Sequence, residues 1–292
     1  MPLILPDGLP AAEHLPLSSS STAELTIGLI NLMPIKPDAE RDILSLLAPA
    51  ACSVKIDLLA PLSHPSKNTP QAHIDRFYSD MSAAMNGSYD ALILTGAPVE
   101  HLPFESVDYW HQLTELFHYA CANHLPMLNI CWGAFAALYH LHGVAMHYLE
   151  RKISGIYPQR KRAAHPLTRG LPECFNMPNS RHAAWQREEV ALHPSLSVLA
   201  DSADSGIGLI HDGLHTYLCA HPEYSLMTLD AEYRRDLAKG INPHIPANYY
   251  PANNPANPPV DTWHSHALLL YSNWIEIILQ KNRQNCCTIQ TQ

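Results

Sequence analysis

Apolar runs alternating with amphipathic stretches set the first expectation. Residues 25–32 are largely apolar, as in a strand buried on both faces. Pro37, Asp38 and Glu40 then open a helix whose apolar face is Ile43, Leu44, Leu46 and Leu47. Residues 54–59 and 90–94 read as a second and a third strand, the latter running into Thr95-Gly96-Ala97-Pro98. Between 107 and 124, Tyr109, Trp110, Leu113, Leu116, Phe117 and Ala120 recur at helical spacing, which predicts a core-facing helix. A fourth strand over 125–130 ends at Cys131, and a helix starts at Trp132. Strands alternating with helices through short connections predict right-handed βαβ units and a parallel sheet, an α/β fold.

The second half is less regular. Short strands are expected over 154–157 and 206–210, a stronger one over 214–220, and a helix over 229–237. Residues 242–260 are crowded with Pro and Asn, so no regular element is expected there. An apolar helix over 263–280 closes the pattern. With no internal repeat and no shift of composition, the chain divides into an irregular arm (1–24, rich in Pro, Ser and Ala), one α/β domain (25–282) and a polar tail (283–292).

Composition narrows the function classes. The 292 residues are 47% hydrophobic and 15% charged, ordinary for a globular protein with a sizeable core. A net charge of −9 argues against nucleic acid as a partner, because phosphate neutralisation needs clustered Lys and Arg. The one basic cluster, Arg160-Lys161-Arg162, reads as a solvated loop. No signal-like segment and no run of membrane-span length appears, so the expectation is a cytoplasmic protein without a membrane partner. The 7 cysteines are scattered without a disulfide framework or a CxxC, and Cys286-Cys287 reads as incidental. Although there are 19 histidines, no HExxH spacing occurs and no metal site is expected.

Cys131 carries the candidate chemistry. A strand, an abrupt turn and a helix place its sulfur at a helix N-terminus, where the dipole favours the nucleophilic thiolate. Ninety residues on, His221-Pro222-Glu223 supplies a base and a group to orient it, giving the chain order nucleophile, base, orienter. In open parallel sheets ligands bind beyond the carboxyl ends of the strands, so residues 33–36, 96–100 and Cys131 should converge on one crevice. The N–H groups of Val99 and Trp132 are candidate oxyanion donors. These residues fit acyl transfer through a thioester and amide hydrolysis equally well.

Motifs spread over residues 25–280 then carry a resemblance. They include Asn31-Leu32-Met33-Pro34 with Lys36, Thr95-Gly96-Ala97-Pro98, Ile130-Cys131-Trp132 and Lys152-Ile153-Ser154-Gly155. Ser180-Arg181, His221-Pro222-Glu223-Tyr224 and Asn248-Tyr249-Tyr250-Pro251 continue the series. The chain resembles the homoserine O-acyltransferase (homoserine transsuccinylase) family, whose fold is like that of class I glutamine amidotransferases. The resemblance implies a flavodoxin-like three-layer α/β domain, a homodimer, small-molecule substrates and no permanently bound cofactor. It casts Cys131 as the acyl-accepting nucleophile, His221 as the general base and Glu223 as its partner. By the same resemblance Lys36 steadies the thioester carbonyl or a CoA phosphate. Lys152 and Ser180 contact substrate, and Arg235 grips the amino-acid carboxylate. Glu100 stands where the family carries glycine with succinyl-CoA and glutamate with acetyl-CoA, which implies acetyl-CoA.

Two departures bear on the acceptor. The family usually has Pro-His-Ser-Arg where this chain has Pro178-Asn179-Ser180-Arg181, and Trp-Arg-Ser-His-Gly-Asn where this chain has Trp263-His264-Ser265-His266-Ala267-Leu268. The implied reaction is acetyl transfer to L-homoserine for methionine synthesis. L-serine as acceptor and succinyl-CoA as donor stay open, since one methylene is worth only about 1–3 kcal/mol of discrimination. A glutamine amidotransferase or related amide hydrolase is the more remote alternative, as Asn129 stands where amidotransferase elbows carry glycine.

Overall fold

The structure, a computed structural model, describes residues 3–18, 22–63 and 68–289, with side chains through 284. Its first half contains β1 (Leu3–Ile4), β2 (Leu25–Ile30), α1 (Lys36–Leu47), β3 (Val54–Ala60), α2 (Gln71–Phe77), β4 (Tyr78–Asp80), α3 (Ala83–Asn86), β5 (Ala91–Leu94), α4 (Trp110–Ala122), β6 (Met127–Ile130) and α5 (Trp132–His142). The second half contains β7 (His147–Lys161), β8 (Cys174–Ala184), α6 (Arg187–Val190), β9 (Ser197–Ser202), β10 (Gly206–His211), β11 (Thr216–Leu218), α7 (Thr228–Ala238) and α8 (His264–Ile289). Among the described residues the strands form one sheet in the order β1-β3-β2-β5-β6-β11-β10-β9-β7-β8, with β4 pairing to β3. Neighbours from β1 to β11 are parallel. From β11 to β8 they are antiparallel.

Both faces of the parallel half are covered, which is why its strands read as continuous apolar runs. On one face Ile43 and Leu47 of α1 and Tyr271 and Trp274 of α8 pack on Ile27, Leu29 and Ile56. On the other, Leu113 and Phe117 of α4 and Phe135 of α5 pack on Leu92, Leu94 and Tyr217. Full burial stabilises each such side chain by roughly 1.5–3 kcal/mol, so the three layers hold firmly at the strand ends where the site lies. A smaller cluster of Ile156, Tyr224, Leu229, Tyr249, Tyr250 and Trp263 sets α7 and the Pro-rich segment beside β7.

The antiparallel half departs from the sequence expectation. The short strand expected over 154–157 is the middle of the 15-residue β7, and neither β8 nor β9 was expected. Most of β7 is not fully buried and carries charges, which erases the hydrophobic signal. β8 is an edge strand and holds Pro178, a residue that sheets tolerate at their edges. The arm is not irregular throughout, because β1 pairs with β3 and buries Leu3. The last helix runs past the expected end to Ile289, and the side chains of Cys286 and Cys287 lie outside the described residues.

Residues 242–260 contain only a 3₁₀ turn, as the prolines demand, yet they are anchored. Ala247 bridges to Gly155, its N–H donates to Ser154 O at 2.9 Å, and its carbonyl accepts from Ile156 N–H at 2.8 Å. Gly155 is at φ +137°, and a Cβ there would lie 2.3 Å from Ala247 N. Gly155→Val therefore forces the segment off β7. The expected cost is about 3 kcal/mol or more, seen as a lower denaturant midpoint together with weakened substrate binding at the cleft this segment walls.

Candidate active site

Cys131 sits between β6 and α5 at φ 49°, ψ −117°, a strained turn that lifts the side chain out of the sheet. Its N–H donates to Leu218 O at 2.6 Å, so β11 fixes the elbow. Trp132 opens α5, and its N–H has no acceptor within the helix. Gly133 lets α5 approach β5, since a Cβ there would meet Thr95 O at 2.6 Å.

β11 ends just before His221. The His221 N–H donates to Pro178 O at 2.8 Å, and Nδ1 bonds Glu223 Oε1 at 2.6 Å. That leaves the second ring nitrogen for Cys131, which acts on the ring through its charge. His221 is 3% exposed. Burial disfavours its charge, but Cys131 and Glu223 outweigh burial and raise its pKa well above the ordinary value. An imidazolium between a sulfur and a carboxylate is the arrangement an activated thiolate requires. Gly96 closes over the pair, its Cβ position only 3.2 Å from Cys131 Cβ.

The cleft above is about 570 Å³. Met33, Gly96, Glu100, Cys131, Lys152, Ser180, His221, Arg235 and His244 all contribute to its wall. Lys152 Nζ lies 3.2 Å from Glu232 Oε2 and 3.7 Å from Asp236 Oδ2. Ser180 also donates to Glu232 Oε2, and Tyr224 OH donates to Oε1 at 2.9 Å. Burial pushes the Glu232 carboxyl up, but Lys152, Ser180, His221 and Tyr224 hold it below the usual range, so it is an anion at neutral pH. Arg235, three residues on and thus on the same face of α7, is about half exposed and bonds Asp236 at 2.8 Å.

Two expected residues are elsewhere. Lys36 does not line the cleft; it is 6% exposed and donates to Asn31 O at 2.5 Å beneath the Met33-Pro34 loop. Burial lowers its pKa to about 8 against the opposing pull of Glu40. Val99 does not line the cleft either, so of the two expected oxyanion donors only Trp132 belongs to a wall residue. Asn179, one of the departures, is 1% exposed and accepts from Arg181 Nε at 3.1 Å. It supports Arg181, whose Nε donates to it. Sequence reading missed Tyr224, whose ring stacks on His221 with centroids 4.2 Å apart, and Glu232, which gathers Lys152, Ser180 and Tyr224. Tyr224 follows the His-Pro-Glu run directly and Glu232 is three residues before Arg235, so position was the available signal.

The family described as Homoserine O-succinyltransferase matches residues 11–284. The chain belongs to this family. Among its relatives in it, Homoserine O-acetyltransferase of Bacteroides thetaiotaomicron is 42% identical over 289 residues, covering 94% of this chain and 95% of that one. Homoserine O-acetyltransferase of Acetivibrio thermocellus is 38% identical with the same coverage. In shape this family member is similar to a glutamine amidotransferase from Thermotoga maritima, with a TM-score of 0.60, 14% identity and coverage of 88% of this chain and 98% of that one. A glutamine amidotransferase from Methylobacillus flagellatus gives 0.54 at 15% identity, covering 86% and 94%. Those two likenesses concern the fold, whose mostly parallel sheet with helices on both faces they share. Among the described residues no three His, Cys, Asp or Glu converge as a metal site, and no helix is long and apolar enough to cross a membrane.

Proposed function

We propose that the protein transfers acetyl from acetyl-CoA to the hydroxyl of L-homoserine through a Cys131 thioester, a step of methionine synthesis in the cytoplasm. The observation that carries this reading is a Cys131–His221–Glu223 array on the wall of a cleft that also presents Glu232 and Arg235. The relatives named Homoserine O-acetyltransferase support the donor and the acceptor.

In the first half-reaction the Cys131 thiolate attacks the acetyl carbonyl. The Trp132 N–H faces the developing oxyanion. The carbon–sulfur bond to CoA breaks, and the CoA sulfur takes the proton that His221 holds. In the second, His221 removes the homoserine hydroxyl proton as the oxygen attacks the thioester, and the bond to Cys131 breaks, restoring the ion pair. Arg235 matches the acceptor carboxylate and Glu232 its ammonium group, each with opposite charge.

Glu100 lines the cleft, and its carboxylate would meet the acyl group of the donor. Two like charges about 5 Å apart at an effective dielectric near 20 repel by roughly 3 kcal/mol, or about 10²-fold. CoA release measured with acetyl-CoA and succinyl-CoA crossed against L-homoserine and L-serine tests the whole reading. Acetyl-CoA with homoserine is expected to be fastest, and Glu100→Gly to shift preference toward succinyl-CoA by about 10²-fold. Faster turnover with serine would reassign the acceptor and keep the mechanism.

A further inference from the structure

His221 acts twice in the proposed reaction, both times through the ring nitrogen that faces away from Glu223. The bond between Nδ1 and Glu223 Oε1, at 2.6 Å, fixes one point of the ring. A single hydrogen bond leaves the ring free to tilt about that axis, so the second nitrogen is aimed only when the plane is fixed as well. Tyr224 presents a flat surface for this purpose. Its ring lies against the imidazole with centroids 4.2 Å apart and planes 21° from parallel.

Tyr224 is itself held along its whole length. Its N–H donates to His221 O at 3.2 Å, its carbonyl accepts from Trp263 Nε1 at 3.0 Å, and its hydroxyl donates to Glu232 Oε1 at 2.9 Å. The residue is 5% exposed and packs in the cluster with Ile156, Leu229 and Trp263. Burial, then the charges of Glu232 and Glu223, push its hydroxyl well above the usual range, so it is a donor at every working pH. The Glu232 carboxylate divides its oxygens: Oε2 takes Lys152 and Ser180, and Oε1 takes Tyr224. One side chain thus touches both the proposed base and the carboxylate that matches the acceptor ammonium group.

We propose that Tyr224 is a positioning residue with two separable roles: its ring sets the plane of His221 in both half-reactions, and its hydroxyl holds Glu232 in place to meet the acceptor. The ring acts on the aim of a proton-transferring nitrogen, where a misplacement of about 1 Å costs on the order of 10²-fold in rate. The hydroxyl acts on acceptor binding alone. This inference rests on the thioester reading given above.

Tyr224→Phe keeps the ring and removes the hydroxyl. Tyr224→Met removes both and fills the space with a flexible apolar chain. In Tyr224→Phe the acetyl-CoA burst is expected to stay within about three-fold of wild type while KM for homoserine rises about 10-fold or more, the loss of a hydrogen bond to a buried charge. In Tyr224→Met the burst itself is expected to slow by about 10–10²-fold. Rescue of the burst by Phe and not by Met, in variants whose Tm shows them folded, is a split that a merely space-filling side chain does not produce. A wild-type burst in folded Tyr224→Met overturns the role of the ring. If Tyr224→Met does not fold, Tyr224→Phe decides alone: an unchanged KM for homoserine, or equal losses in both half-reactions, overturns the proposal. Absence of an acetyl-CoA burst in the wild type would instead overturn the thioester reading itself, so the two failures are separable.

Discussion

Cys131→Ala is expected to abolish acetyl transfer, with kcat lower by on the order of 10⁴-fold or more. Both half-reactions pass through the same sulfur, so the variant should neither release CoA in a burst nor acquire an acetyl group detectable by mass spectrometry. The loss is chemical and not architectural. The elbow's φ of 49° is imposed by the Cys131 N–H bond to Leu218 O and by Gly133 seated against β5, and alanine retains every backbone contact. His221 keeps its bonds to Pro178 O and Glu223. An unchanged Tm with no turnover is the expected pair of results. Acetylated protein after incubation of Cys131→Ala with acetyl-CoA would sink the covalent scheme.

Removing the Glu232 carboxylate should divide the two half-reactions. Glu232→Ala leaves Lys152 with Asp236 alone, at 3.7 Å, and frees the hydroxyls of Ser180 and Tyr224. Truncating one partner of a buried, hydrogen-bonded charge pair costs about 2–5 kcal/mol. A loss of about 10²–10³-fold in kcat/KM for homoserine is expected, concentrated in KM. The acetyl-CoA burst is expected to fall less than the homoserine step, because Glu232 makes no hydrogen bond to the triad and acts on His221 through the stacked Tyr224 ring and through its charge. An equal loss in both half-reactions would show that Glu232 serves to hold Tyr224 and His221 and does not meet the acceptor. Stopped-flow CoA release separates the two outcomes.

The parallel half of the fold and the triad were legible because there the code is local. β2, β5 and β6 are buried almost throughout, β3 alternates only in its first half, and an elbow cysteine with a later His-x-Glu implies its own geometry. β7 and β8 were not, since their pairing is recorded in long-range register, β7 is largely charged and half-exposed, and β8 mixes buried apolar residues with Asn, Ser and Arg. Lys36 misled for a related reason. The resemblance cast it as a cation facing the substrate, whereas the tertiary structure turns it inward to Asn31 O. Glu232 was hidden among Tyr233, Arg234 and Asp236 on α7, a polar stretch in which the cleft-facing acid is no different in sequence from its neighbours.

The ladder between β6 and β11 has a consequence for biogenesis. Leu218 pairs with Ile130, and Cys131 and His221, the proposed nucleophile and base, lie one and three residues beyond that pair. The two halves of the dyad are thus joined by a contact between segments about ninety residues apart, and pairings of such separation form late. Before β11 is in place, Cys131 has no His221 beside it and is expected to react only as an ordinary thiol. Heightened reactivity arrives only when β11 seats. The rise in the alkylation rate of Cys131 during refolding is therefore expected to report closure of the sheet.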